Sequence, residues 1–187
     1  MLGRDEIRQA FVVLDEELAS VSVRASVFVV GGAAMAIAYD ARRSTVDVDA
    51  VFVPAAQVRE AAARAGERLG LAADWINDGA KAFMPGDDPE QTIVFEGEHL
   101  QVAAASPRYL LAMKMLASRV DRDADDIRLL YRLSGLSTVE DGLEVVERAY
   151  PAYAIPPRTR YLLEEMFPSR SRGLEAGRDD GGNEIGR

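Results

Sequence analysis

The segment from Val27 to Val53, VFVVGGAAMAIAYDARRSTVDVDAVFV, constrains the fold of this chain more than any other. An apolar run comes first, two glycines open a stretch of small residues, and a second apolar run follows. The second run carries Asp47 and Asp49, and side chains two apart on a strand point to the same face. The pattern predicts a strand, a short helix and a second strand with two carboxylates side by side.

The diglycine and the carboxylate pair together indicate a site for phosphate and a divalent cation. Glycine lets a backbone approach phosphate closely, and paired carboxylates suit Mg²⁺, which proteins commonly bind together with substrate phosphates. The structural alternative is a polar strand edge whose acids pair with Arg42 and Arg43. Acids are depleted in strands, and two on one face repel without a cation, so metal binding is favoured.

Composition limits the class of protein. The chain has 187 residues, 48% of them hydrophobic, which is enough for a globular core. It has no cysteine, which excludes disulfides and thiolate metal sites. No apolar run approaches the roughly 18 residues of a membrane span, and the N-terminus does not resemble a signal peptide. We therefore expect a cytoplasmic protein without membrane contacts. The net charge of −9 argues against general nucleic-acid binding but leaves room for a local basic face.

Only two of the 22 basic residues are lysines, Lys81 and Lys114. In a chain this biased towards arginine, a retained lysine suggests a compact charge directed at a phosphate. Lys114 projects from a mostly apolar predicted helix. It either contacts phosphate or reaches water along a packed stem.

The segment RDADDIRLL separates its acids by helical direction. Asp123 and Asp126 share the apolar arc of the predicted helix, whereas Asp125 lies beside Arg128 and is expected to be its solvated partner. A charge on the core side needs a partner. Asp123 is therefore a helix cap, or either acid pairs with Lys114 or acts as a general base.

The order of elements predicts an α+β fold, with a small mixed sheet, flanking helices and a helical C-terminal part. We expect a core over 1–105, helices packed on it over 106–167, and a disordered, Gly-rich tail over 168–187. The predicted strands are 27–30, 46–53, 92–95 and 99–103, and the predicted helices are 4–20, 31–40, 55–69, 106–119, 123–134, 139–149 and a last one ending near Phe167.

Four segments in this order resemble the motifs of the AbiEii/AbiGii-type nucleotidyltransferase toxins, within the DNA polymerase β-like minimal nucleotidyltransferase superfamily. Gly31-Gly32 resembles the glycine motif, and RSTVDVD at 43–49 resembles the R-x-[ST]-x-D-x-D signature. LLAMKMLASR at 110–119 and RDADDI at 122–127 resemble the third and fourth motifs. The resemblance covers about 27–130 and implies a polymerase β-like nucleotidyltransferase core.

The resemblance implies the roles of the first two motifs. Asp47 and Asp49 would hold Mg²⁺ on a nucleoside triphosphate, and Gly31 and Gly32 would pack against its phosphates. The implied chemistry is positioning and electrostatic stabilisation of an in-line displacement.

The remaining motifs would complete the site. Arg43 and Thr45 would position the nucleotide, Lys114 would neutralise phosphate charge, and Asp123 or Asp126 would activate the attacking hydroxyl. The family also implies a toxin that is held by an antitoxin and that acts on RNA, with the tRNA 3′ end as the acceptor. Thr45 matches a position that is phosphorylated in relatives under the control of the antitoxin.

One feature departs from the wider superfamily. Many polymerase β-like enzymes carry a third carboxylate on a later strand, where HLQVAAAS offers Gln101 and no acid. This makes a two-metal mechanism doubtful. Transfer to a protein or a small molecule, and an inactive nucleotidyltransferase-fold binding module, stay open as alternative functions.

Overall fold

The computed structural model describes residues 1–40, 42–117 and 120–167, so the predicted tail at 168–187 lies outside it. Within these ranges the chain forms five strands and seven α-helices. The strands are β1 (Ala25–Val29), β2 (Val48–Val53), β3 (Ile76–Asn77), β4 (Thr92–Glu96) and β5 (Leu100–Ala104). The helices are α1 (Arg4–Ser20), α2 (Gly31–Ala34, continued by a π-helical turn over Met35–Tyr39), α3 (Ala55–Leu69), α4 (Pro107–Ala117), α5 (Val120–Leu133), α6 (Val139–Ala149) and α7 (Pro157–Met166), with a 3₁₀ turn at Gly79–Phe83.

The strands form one mixed sheet in the order β3-β2-β1-β5-β4. The central strand β1 pairs antiparallel with β2 and parallel with β5, while β3 runs parallel to β2 and β4 antiparallel to β5. This arrangement confirms the predicted α+β fold with a small mixed sheet.

The two faces of the sheet differ. On one face Val27 pairs with Val102, and the Phe95 ring beside them contacts Phe11 of α1 at 6.0 Å. Helices α1 and α3 pack together against β5 and β2, and the residues between them form the core. The other face carries Asp49 and is only partly covered, which leaves that carboxylate accessible.

Helices α4 to α7 form the helical C-terminal part: α4 packs on α5 and α6, and α7 packs on α5 and α6. A capping box begins α6, where Thr138 Oγ1 accepts from the Asp141 N–H at 3.1 Å and Asp141 accepts from the Thr138 N–H at 2.8 Å. Helix α5 is already helical at Val120, so Asp123 lies inside the helix and the capping role considered for it is wrong. In the described part of the chain, no helix combines the length and hydrophobicity needed to cross a membrane.

Strand β2 begins two residues later than its sequence predicts. Thr45 exchanges two backbone hydrogen bonds with Leu2, at 2.7 and 2.9 Å, and so pairs with the N-terminal segment instead of the sheet. Val46 and Asp47 form a bend between this bridge and β2. Asp47 therefore precedes the strand on which it was expected.

Candidate active site

Asp47 and Asp49 nevertheless share one site. Asp49 is half-buried on β2 and lies opposite Asn77 of β3. The Asn77 side-chain amide donates to Asp47 Oδ2 at 2.9 Å. Because Asn77 also pairs with Asp49, this bond holds the bend at Val46 and Asp47 close to Asp49. No sequence motif singles out Asn77, because its role arises from the pairing of β3 with β2.

The two carboxylates of this pair affect each other electrostatically. Burial, and secondarily the negative charge of Asp47, raise the pKa of Asp49. The arginines that were expected to neutralise the pair under the structural alternative lie elsewhere, since Arg42 pairs with Asp40 and Arg43 with Asp40 and Asp126. Among the described residues, no ion pair to a cationic side chain neutralises either carboxylate.

The diglycine packs against this carboxylate and the neighbouring threonine. Gly31 has φ +62°, and a Cβ on it would lie 3.1 Å from Asp49 Oδ2. A Cβ on Gly32 would lie 2.9 Å from Thr45 Oγ1. Only glycine allows both approaches, so the backbone of α2 meets Asp49 and Thr45 where a phosphate is expected.

Three of the four motifs meet in a second cluster of charges. Lys114 of α4 donates to Asp123 and contacts Asp126 of α5, both at 2.7 Å. The second Asp126 oxygen forms an ion pair with Arg43, whose Nε lies 3.6 Å from Asp40. We call these five residues the charge cluster.

The charge cluster shows how Lys114 and the acids of α5 pair. The ion pairs of Lys114 with Asp123 and Asp126 confirm one of the predicted alternatives, and its side chain is only 15% exposed. Asp125 is exposed and lies 3.3 Å from Arg128, as its helical direction predicts. The contact between Arg43 and Asp126 was not predicted, because it joins residues far apart in the sequence.

A metal at this site would have few protein ligands. Within the described part of the chain, no group of three or more His, Cys, Asp or Glu side chains could hold an ion. On the face of β5 that is shared with Asp49, the positions beside β1 are Gln101 and Ala103. The structure therefore offers no acid on β5 at the place where many polymerase β-like enzymes carry a third carboxylate. Two carboxylates suit an ion whose other ligands are water and substrate phosphates, as Mg²⁺ prefers.

Comparison with known proteins identifies the family. The family described as nucleotidyltransferases of unknown function (DUF6036) matches residues 9–138, which include every motif described above. Comparison with curated proteins and with solved structures gave no significant match. The matched segment spans the whole sheet, the diglycine, the carboxylate pair and the charge cluster. The chain belongs to this nucleotidyltransferase family.

Proposed function

We propose that this protein is a Mg²⁺-dependent nucleotidyltransferase that transfers a nucleotide from a nucleoside triphosphate to an RNA acceptor. The observation that carries the proposal is the Asp47/Asp49 pair. Asp49 lies against Gly31, neither carboxylate has a cationic partner among the described residues, and burial, with the charge of Asp47, raises the pKa of Asp49. A carboxylate pair of this kind is stabilised by a divalent cation, and membership of the family supplies the class of reaction.

In the proposed reaction, the acceptor hydroxyl oxygen forms a bond to the α-phosphorus of the triphosphate. The bond between that phosphorus and the α–β bridging oxygen breaks, and pyrophosphate leaves with its electron pair. The phosphates pack against the backbone of Gly31 and Gly32. The Thr45 hydroxyl lies beside Gly32 and can donate a hydrogen bond to a phosphate. Mg²⁺ held by Asp47 and Asp49 would neutralise charge that develops on the phosphate oxygens.

Lys114 and Arg43 support the phosphates from the charge cluster. Two of the three N–H donors of Lys114 serve Asp123 and Asp126, which fix the direction of the ammonium group. Arg43 carries five donors and can retain Asp126 while it contacts a phosphate. Asp126 thus acts as a positioning residue.

Asp123 is the better candidate for the general base. Its side chain is 17% exposed against 9% for Asp126, and among described residues it contacts one cation where Asp126 contacts two. Both Asp126 oxygens are already engaged in ion pairs, which leaves neither well placed to contact the acceptor hydroxyl. We therefore assign proton acceptance from the acceptor hydroxyl to Asp123.

The biological part of the proposal rests on the resemblance of the four motifs to the AbiEii/AbiGii-type toxins. We propose a cytoplasmic toxin that modifies the tRNA 3′ end and is restrained by a cognate antitoxin. Thr45 Oγ1 faces Gly32, so a phosphoryl group on this hydroxyl would occupy the triphosphate site and repel the aspartates. This geometry supports phosphorylation of Thr45 as the means of restraint.

The deciding experiment incubates the protein with each α-³²P-labelled triphosphate, Mg²⁺ and total cellular RNA. We expect transfer of label to an RNA of tRNA size, and loss of at least about a hundredfold in Asp49→Ala because positioning and charge stabilisation fail together. Asp125→Ala, which removes an exposed acid, is the matched control and should transfer normally. Undiminished transfer by Asp49→Ala would refute the proposal.

A further inference from the structure

A cleft of about 630 Å³ opens on the same face of the sheet as Asp49. Phe28 of β1 and Val51 of β2 lie opposite each other on its floor, and Val51 is two residues from Asp49 on one strand. The ring of Tyr109 meets Phe28 edge-to-face at 5.4 Å and forms a wall. We call this the aromatic cleft, and its rim carries Lys81 and Asp87.

The walls of the aromatic cleft are held in place by hydrogen bonds. Burial, with a contribution from Asp88, raises the pKa of Tyr109 to about 12, and its hydroxyl donates to the Pro85 carbonyl at 2.8 Å. The buried Asp88 carboxylate accepts from the backbone N–H groups of Ser106 at 2.6 Å and Glu90 at 3.1 Å. The loop over the cleft is thus fixed to the start of α4, and a ligand would meet a preformed surface.

The rim offers complementary polar groups. Lys81 is exposed on the 3₁₀ turn and forms no ion pair with any acid in the ranges that the structure describes. It is one of two lysines, and the other belongs to the charge cluster. Asp87 is exposed, and a carboxylate can accept hydrogen bonds from a ribose hydroxyl or an exocyclic amine.

The position of the aromatic cleft relative to Asp49 indicates which part of a substrate it meets. The diglycine and Thr45 lie towards one end of β2, whereas Val51 lies beyond Asp49 towards the other end. In an in-line displacement the attacking hydroxyl and the leaving pyrophosphate lie on opposite sides of the phosphorus. With the β- and γ-phosphates at the diglycine, the attacking group arrives from the side of the cleft.

We propose that the aromatic cleft binds the 3′-terminal nucleoside of the RNA acceptor, with its base stacked on Phe28 beside the wall formed by Tyr109 and its 5′ phosphate at Lys81. This inference rests on the proposed function and names the acceptor subsite of the same site. Stacking of bases on aromatic side chains tolerates any sequence. A single lysine adds a salt-dependent phosphate contact in a chain whose net charge is otherwise unfavourable for RNA.

The test measures binding of a 5′-fluorescein-labelled tetranucleotide, ACCA with a free 3′ hydroxyl, by fluorescence anisotropy without any triphosphate. We expect Lys81→Ala to weaken binding roughly three- to tenfold and to reduce the slope of log affinity against log salt by about one. Arg8→Ala is the matched control, because Arg8 is an exposed cation on α1, which packs on the opposite face of the sheet. It should bind like the wild type.

The outcomes separate the subsite from the reaction. Asp49→Asn should bind the tetranucleotide like the wild type but should not transfer a nucleotide to it. If the wild type itself binds the tetranucleotide but transfers no nucleotide, the proposed function is wrong and the binding subsite still stands. The inference is overturned if the wild type does not bind the tetranucleotide or if Lys81→Ala binds it like the wild type. It is also overturned if Lys81→Ala weakens only the triphosphate, since the cleft would then serve the donor nucleoside.

Discussion

At the scale of single residues, Gly31 carries two constraints at once. Its φ of +62° lies in the left-handed region, and the space where a Cβ would project is occupied by Asp49 Oδ2 at 3.1 Å. Gly70, which ends α3, has φ +67° with nothing within 4 Å of the corresponding position. The two glycines share the backbone constraint and differ in the contact, so they form a matched pair.

We expect Gly31→Ala and Gly70→Ala each to lower the free energy of unfolding by about 1–2 kcal/mol, the cost of a left-handed non-glycine residue. Only Gly31→Ala should also lose Mg²⁺-dependent triphosphate binding, because the added methyl group displaces the Asp49 carboxylate. Urea denaturation measures the first effect and isothermal titration calorimetry with Mg²⁺ and ATP the second. Equal ATP affinity in the two variants would show that the diglycine does not shape the site.

At the scale of elements, ion pairs of α5 join it both to α4 and to the segment before β2. Its inward side carries Asp126, which contacts Lys114 of α4 and Arg43, while its outward side carries Asp125 beside Arg128. A buried carboxylate between two cations is costly to remove because both partners lose their counter-charge. An exposed ion pair on one helix contributes little.

Asp126→Ala should therefore lower the free energy of unfolding by about 3 kcal/mol, near the lower end of the range for broken buried pairs. Asp125→Ala should stay within about 0.5 kcal/mol of the wild type, as exposed substitutions do. Urea denaturation of both variants, followed by circular dichroism, gives the comparison. A loss below about 1 kcal/mol for Asp126→Ala would mean that the charge cluster does not stabilise the packing of α5.

At the scale of the whole molecule, the Asp47/Asp49 pair works against stability. The raised pKa of Asp49 means that the folded chain binds its proton more tightly than the unfolded chain does. The folded state then holds more protons in this range, so the contribution of Asp49 to stability falls as the pH rises above its ordinary pKa of about 3.9. A ligand that binds only the folded state acts in the opposite direction.

Without Mg²⁺, Asp49→Asn should melt at a higher temperature than the wild type at pH 7, and the difference should shrink as the pH falls towards 3. Thermal denaturation over a pH series tests this, with Asp74→Asn in an exposed loop as the control that should follow the wild type. Mg²⁺ with ATP should raise the melting temperature of the wild type and leave that of Asp49→Asn unchanged. A less stable Asp49→Asn at pH 7 would contradict the electrostatic account of the site.

Much of the fold follows from signals within a few residues of one another. Helix α6 has the predicted bounds, because its capping box and apolar spacing are both local. The orientation of the acids on α5 likewise follows from helical geometry. The strand predicted over 46–53 begins only at Val48. Thr45 is hydrogen-bonded to Leu2, which precedes α1, and a contact between residues so far apart in the sequence leaves no local signal. The helix predicted over 31–40 is α-helical for only its first four residues.

The sequence by itself determined the chemistry available to this protein: two acids two residues apart, a diglycine, one lysine on an apolar helix and a pair of inward acids. Tertiary structure decided which of these groups meet. Asn77 reaches Asp47 only because β3 pairs with β2, and Arg43 meets Asp126 only because α5 packs beside the segment before β2. Residue type and short-range spacing can be seen in the sequence alone, whereas contacts between distant segments depend on the order of strands and the packing of helices.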